Sequence, residues 1–137
     1  MRSKLRAFVG FHWSHYRNDQ QYIPLLDYEY LGFRLLGIDG YFESRSLFLE
    51  HATIAFFLAH DDQEQIVGRC IAFINEDHNQ HWKEQTGFFG CFESIEDEEV
   101  SAGLLRAAGD WLREHGMNTM RGPQNLPVNQ ATPGVLT

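Results

Sequence analysis

Apolar and polar positions change rhythm several times along this chain, and each change marks an element. Thr53–His60 (TIAFFLAH) and Ile66–Ile74 (IVGRCIAFI) are dense in β-branched and aromatic residues and read as strands. The polar link Asp61-Asp62-Gln63-Glu64-Gln65 between them suits an antiparallel hairpin. Gly87–Glu93 predicts the next strand, antiparallel to its predecessor. From Val100 onward the period lengthens: Val100, Leu104, Leu105, Ala108, Trp111 and Leu112 fall on one face of a helix. Ser94 or Asp97 can cap its start, and Glu96, Asp97, Glu98 and Glu99 suit the positive end of its dipole. Arg113 and His115 suit the other end, where Gly116 supplies the stop. Thr119–Arg121 predicts a last short strand before Gly122–Pro123. A strand–helix–strand unit of this length is a right-handed crossover between parallel strands.

The N-terminal part has a less regular rhythm. Leu5–Phe11 (LRAFVGF) is a short apolar run with β-type residues and predicts a first strand. Asp19–Pro24 reads as a turn, because Pro24 biases Ile23 away from helix. Tyr28–Leu36 predicts a helix with Tyr28, Leu31, Leu35 and Leu36 inward, stopped by Gly37. Gly37–Gly40 is then a turn, and Tyr41–Leu49 has room for another short helical turn. Asn75–Thr86 is polar and His-rich and reads as a surface loop. Leu126–Thr137, with two prolines and no period, reads as an irregular tail. The fold class that follows is α/β (α+β): a single domain over 1–137, an antiparallel meander followed by a crossover.

Composition narrows the function classes. At 137 residues, 43% apolar and 14% aromatic, the chain can bury a core as one globular domain. A formal charge of −8 disfavours nucleic acid and anionic membranes as partners. No apolar segment approaches a membrane span, and no leader-like run opens the chain. Cys70 and Cys91 lie in apolar strand contexts that suit free, buried thiols. These features predict a cytoplasmic, soluble protein.

The crossover turn is where such units usually receive a ligand's phosphates. Here it is Glu93-Ser94-Ile95-Glu96-Asp97-Glu98-Glu99, acidic and without glycine, so a phosphate would be repelled.

The order of elements resembles the N-terminal part of the GNAT superfamily of acyl-CoA-dependent N-acetyltransferases. At residue level it is similar to a bacterial family of longer GNAT-like acyltransferases. The phrases that carry the likeness are Phe11 with Tyr16-Arg17-Asn18-Asp19 and Ile23-Pro24-Leu25, then Val67-Gly68-Arg69, Ile74-Asn75 and His78-Asn79. Gly87-Phe88-Phe89-Gly90, Phe92-Glu93, Gly122-Pro123, Asn125 and Asn129 complete it. Two departures accompany it. Where the superfamily carries an Arg/Gln-x-x-Gly-x-Gly/Ala turn for the CoA pyrophosphate, this chain places Asp97, Glu98, Glu99 and Ser101. The superfamily's later helix and last two strands would lie beyond Thr137, so the chain is a fragment or completes its sheet in another way.

The resemblance implies acyl transfer from acetyl-CoA or another acyl-CoA to a small-molecule amine. The acyl group would lie at the end of the Gly87–Glu93 strand, where a backbone N–H near Phe92, Glu93 and Ser94 polarises the thioester carbonyl. Glu93 would deprotonate the amine, directly or through water; the competing reading is that Glu93 begins the helix cap. Asn75, His78 and Asn79 are candidate substrate contacts, the competing reading being hydrogen bonds that shape their loop. Arg69, a charge in an apolar strand, points to solvent, pairs with a carboxylate or binds an anion. His78-x-x-His81 beside Glu76 and Asp77, and His12-x-x-His15, are too sparse for a metal centre, and none is expected. A Cys–His nucleophile would require an exposed, acidified thiol, which neither cysteine context offers. An uncovered sheet edge predicts a homodimer through the aromatic N-terminal segment or the final strand. Two functions remain open: an acyltransferase domain, or a non-catalytic binding or dimerisation module that keeps the fold without the pyrophosphate turn.

Overall fold

A computed structural model of the chain describes residues 2–23, 27–32, 40, 42 and 47–124. The chain divides into two compact units, 1–50 and 51–137. The first opens with helix α1 (Arg2–His15), followed by the short helix α2 (Asp27–Leu31) and a 3-10 turn at Leu47–Glu50. The expected strand at Leu5–Phe11 is therefore helical. Its aromatic and β-branched residues suggested a strand, yet Leu5, Phe8, Val9 and His12 also recur at helical spacing, and Phe8, Val9, Phe11 and His12 are buried. Around them Phe8 meets Phe42 edge-on at 6.1 Å, and Tyr16 stacks on Tyr22 at 3.8 Å. The turn after α1 forms as expected, with Asp19 Oδ1 accepting from the Gln21 N–H. Helix α2 ends at Leu31, where Gly32 adopts φ +71°, earlier than the expected stop at Gly37. Leu35, Leu36 and Gly37 lie outside the described residues, as do Pro24, Leu25, Tyr41, Asn125, Asn129 and the Leu126–Thr137 tail.

The second unit is a four-stranded mixed sheet in the order β1 (Ala52–His60), β2 (Ile66–Asn75), β3 (Thr86–Ser94), β4 (Thr119–Arg121). The pairs β1–β2 and β2–β3 are antiparallel, and β3–β4 is parallel. The crossover between β3 and β4 is α4 (Glu98–Glu114), with Asp97 as its N-cap and Gly116 at φ +82° closing it. The three long strands, α4 and the final parallel strand match the hydrophobic pattern. Cys70, Ala72 and Ile74 of β2 pack against Leu104, Ala108 and Leu112 of α4, with Phe57, Phe89 and Phe92 around them. Two strand glycines let the helix approach the sheet. A Cβ on Gly68 would lie 2.8 Å from Leu104 Cδ1, and one on Gly87 would lie 2.8 Å from Leu112 Cδ1. The opposite face of β2, with Val67, Arg69, Ile71 and Phe73, is also buried, which accounts for its almost uninterrupted apolar run.

The segment expected as a loop after β2 contains a helix, α3 (Glu76–Trp82). Asn75 caps it by accepting from the His78 N–H, Glu76 and Asp77 occupy its first turn, and Lys83 closes it at φ +54°. None of its residues is buried, so no apolar period announces it.

Candidate functional site

Strand β3 carries the candidate chemistry because of one irregularity. The β2–β3 register pairs Ile71 with Gly90 but Arg69 with Glu93, so Cys70 faces an extra residue and β3 bulges at Cys91, whose φ is +46°. The bulge resets the alternation. Phe89 and Phe92, three apart, both face α4 and meet edge-on at 6.1 Å, which turns Glu93 onto the other face. There Arg69 Nε donates to Glu93 Oε2 at 2.7 Å, across the ladder from its register partner. The side chains are 3% and 15% exposed, so the pair is nearly desolvated. Of the readings open for Arg69, pairing with a carboxylate is the observed one, and the solvent-facing reading is corrected. A guanidinium in the most buried strand needs such a partner.

Strand β4 pairs with β3 at Thr86, Gly87 and Phe88, and the Gln124 N–H reaches the Phe89 carbonyl at 2.7 Å. Residues past Gln124 lie outside those described. The Ile95 N–H donates to the Val67 carbonyl, which makes Gly68–Ser94 a non-hydrogen-bonded pair and directs the Ser94 N–H away from β2. Among the described residues, no strand pairs with that outer side of Phe92–Ser94. The Ser94 N–H thus lies on the outer side of β3, and the neighbouring Glu93 projects to the face it shares with Arg69.

Asn75, His78 and Asn79 occupy the other end of the ladder. Asn75 lies six steps along β2 from Arg69, about 20 Å of strand, so these residues and Glu93 do not form one site. Asn75 is the α3 cap. Asn79 Nδ2 donates to the Thr86 carbonyl at 2.9 Å and its Oδ1 accepts from the Thr86 N–H at 3.0 Å, as a strand neighbour would. His78 lies edge-on to Phe88 at 5.0 Å and approaches Glu84 Oε2 at 3.4 Å. Glu84 also accepts from the Thr86 hydroxyl at 3.0 Å and from Arg121 at 3.3 Å. These contacts hold its carboxyl below the usual range, the Thr86 hydrogen bond contributing most. Asn75, Asp77, His78, Gln80, His81 and Trp82 border an open groove of about 590 Å³.

Burial pushes both thiols up, Cys70 and Cys91 alike to about 12, so neither is a thiolate at neutral pH. Among the described residues, no group of three or more His, Cys, Asp or Glu could hold a metal ion. Nor is any described helix long and apolar enough to cross a membrane. The Arg69–Glu93 pair, 24 positions apart in sequence, and the bulge that positions it had no local signal beyond the odd charge in β2.

No protein-family model matches the chain. The solved structure named "Putative acetyl transferase from Pyrococcus furiosus" superposes with a TM-score of 0.54, over 98% of this chain and 92% of that one, at 15% identity. The fold is GNAT-like. Protein YghO of Escherichia coli (strain K12) is 31% identical over 129 residues, 94% of this chain and 31% of that protein. The bacterial ceramide synthase of Caulobacter vibrioides (strain NA1000 / CB15N) is 37% identical over 84 residues, 61% of this chain and 22% of that protein. The chain thus spans less than a third of the length of either curated relative.

Proposed function

We propose that this chain is the thioester-binding part of an N-acyltransferase, transferring an acyl group from an acyl thioester such as acyl-CoA to an amine. The observation that carries the reading is the bulge at Cys91, which sets the outward Ser94 N–H of β3 beside the nearly desolvated Arg69–Glu93 pair. In this reading the thioester carbonyl accepts from an N–H within Phe92–Ser94, which stabilises the oxyanion as the amine attacks. The ammonium proton passes to Glu93 Oε1, directly or through water, while Arg69 keeps its hold on Oε2. Collapse of the tetrahedral intermediate forms the amide and releases the thiolate, which takes up a proton. A ceramide is itself an N-acylated long-chain base, so the name of the Caulobacter relative supports an amine acceptor of that class. Asn75, His78 and Asn79 would act on the acceptor side only if it extends to the α3 groove. Lying near 20 Å away, they contribute to the scaffold in the first instance.

A second reading, a non-catalytic binding or dimerisation module, is favoured by the acidic crossover turn. One experiment separates the two: incubation of the protein with octanoyl-CoA and a panel of primary amines, long-chain bases included, with amide detected by mass spectrometry. Turnover that falls by about 10²–10⁴-fold in E93Q, with donor KM little changed, is the expected result. Donor binding without turnover, or no donor binding at all, would favour the module.

A further inference from the structure

We infer that the N-terminus of α4 offers no seat to the diphosphate of an acyl-CoA donor, so that the nucleotide end of the donor adds nothing to its recognition there. The inference rests on the acyl-transfer reading and adds the donor's specificity to it. A helix N-terminus binds phosphate when its first N–H groups are open and the local charge is positive or neutral. At α4 neither condition is met. The Asp97 carboxylate accepts from the Glu99 N–H at 2.8 Å and from the Val100 N–H at 3.4 Å. The Asp97 N–H donates to the Ile95 carbonyl at 2.7 Å, and the Ile95 N–H to Val67 at 2.9 Å. Four donors of the turn and first helical turn are thus committed within the chain. Glu96, Glu98 and Glu99 surround what is left, all exposed.

The nearest basic residue along α4 is Arg106, eight positions beyond Glu98 and so about 12 Å along the axis. A diphosphate placed here would displace a carboxylate that already fills the anion position and would meet three more. The apolar member of the turn, Ile95, is 39% exposed. What β3 turns outward just before this helix start is the Ser94 N–H, which the acyl-transfer reading assigns to the thioester and not to a phosphate. The discrimination therefore acts between the two ends of one donor molecule.

Amide-resolved NMR of the 137-residue protein tests this. Titration with 3′-phospho-ADP, the nucleotide end of CoA, is expected to leave the amides of residues 98–101 unmoved at millimolar concentration. A saturable shift there would overturn the inference. In the E96Q/D97G/E98Q/E99Q variant, where glycine keeps most of the cap and frees two N–H groups, the same titration is expected to give a saturable shift. A variant with an unchanged β2 and β3 spectrum and no response would overturn the assignment of the exclusion to these carboxylates. In parallel, S-octanoyl-pantetheine and octanoyl-CoA are expected to bind with Kd values within about threefold of each other. A tenfold or greater preference for the CoA thioester overturns the proposal. Binding of neither thioester overturns the acyl-transfer reading, while the nucleotide titration still decides the exclusion.

Discussion

Arg69 and Glu93 are held together at 2.7 Å on the buried face of β2. Both charges are nearly desolvated, so removing one partner strands the other in a poorly solvated place. R69M is expected to lower stability by about 3–5 kcal/mol, read as a lower urea midpoint at unchanged slope. R69M/E93L should recover much of that loss, since a matched apolar pair leaves no orphan charge. A double variant as unstable as the sum of both singles would contradict the coupling.

Glu84 gives a pH signature with a definite sign. Its folded pKa is lowered, first by the Thr86 hydroxyl and then by His78 and Arg121. A depressed carboxyl stabilises the fold above its unfolded pKa and loses that contribution as pH falls through the folded value. Wild-type stability should therefore fall between about pH 5 and pH 3 more steeply than that of E84Q. Parallel acid-unfolding curves for the two proteins would count against the network. Neither cluster was legible as such in the sequence. Arg69 stood out only as a charge in an apolar strand, and Thr86 only as a residue beside a loop.

Among the elements, legibility tracked burial. β2, β3 and α4 bury one or both faces, and burial imposes the period by which they are read, whereas β1, half-buried at most, is read from its β-branched and aromatic content. Helix α3 buries nothing and is defined by its Asn75 cap and Lys83 stop, signals too local to outweigh a polar composition. Helix α1 has a period, but its aromatic and β-branched content also fits a strand, and the two readings compete over so short an apolar run. The bulge at Cys91 was hidden because a positive φ is uncommon outside glycine. Contact between β3 and α4 yields a prediction of its own. Gly87 lies under Leu112, which is buried, so an added methyl has nowhere to go. G87A is expected to cost about 1–3 kcal/mol by thermal or urea unfolding. Because L112A opens space at the same point, G87A/L112A should be less destabilised than the two singles summed. Strict additivity would mean that the strand shifts instead.

At the scale of the whole molecule, charge and edge act in opposite directions. A formal charge of −8 keeps copies apart at low ionic strength. The described sheet nevertheless ends on β4, whose three residues are all exposed and whose Met120 side chain is 38% accessible. Such an edge favours pairing with a second copy once repulsion is screened, because the Debye length shrinks to about 8 Å near physiological salt. The expected outcome is a dimer whose share, measured by light scattering across protein concentration, rises with added salt. M120K, placing a further charge at that edge, should shift the balance to monomer without lowering thermal stability by more than about 0.5 kcal/mol. Opposite salt dependence would mean that association is driven by ion pairs and not by the edge. A monomer mass at every concentration and salt would exclude the dimer and leave the Arg69–Glu93 face of β3 to act within a single chain.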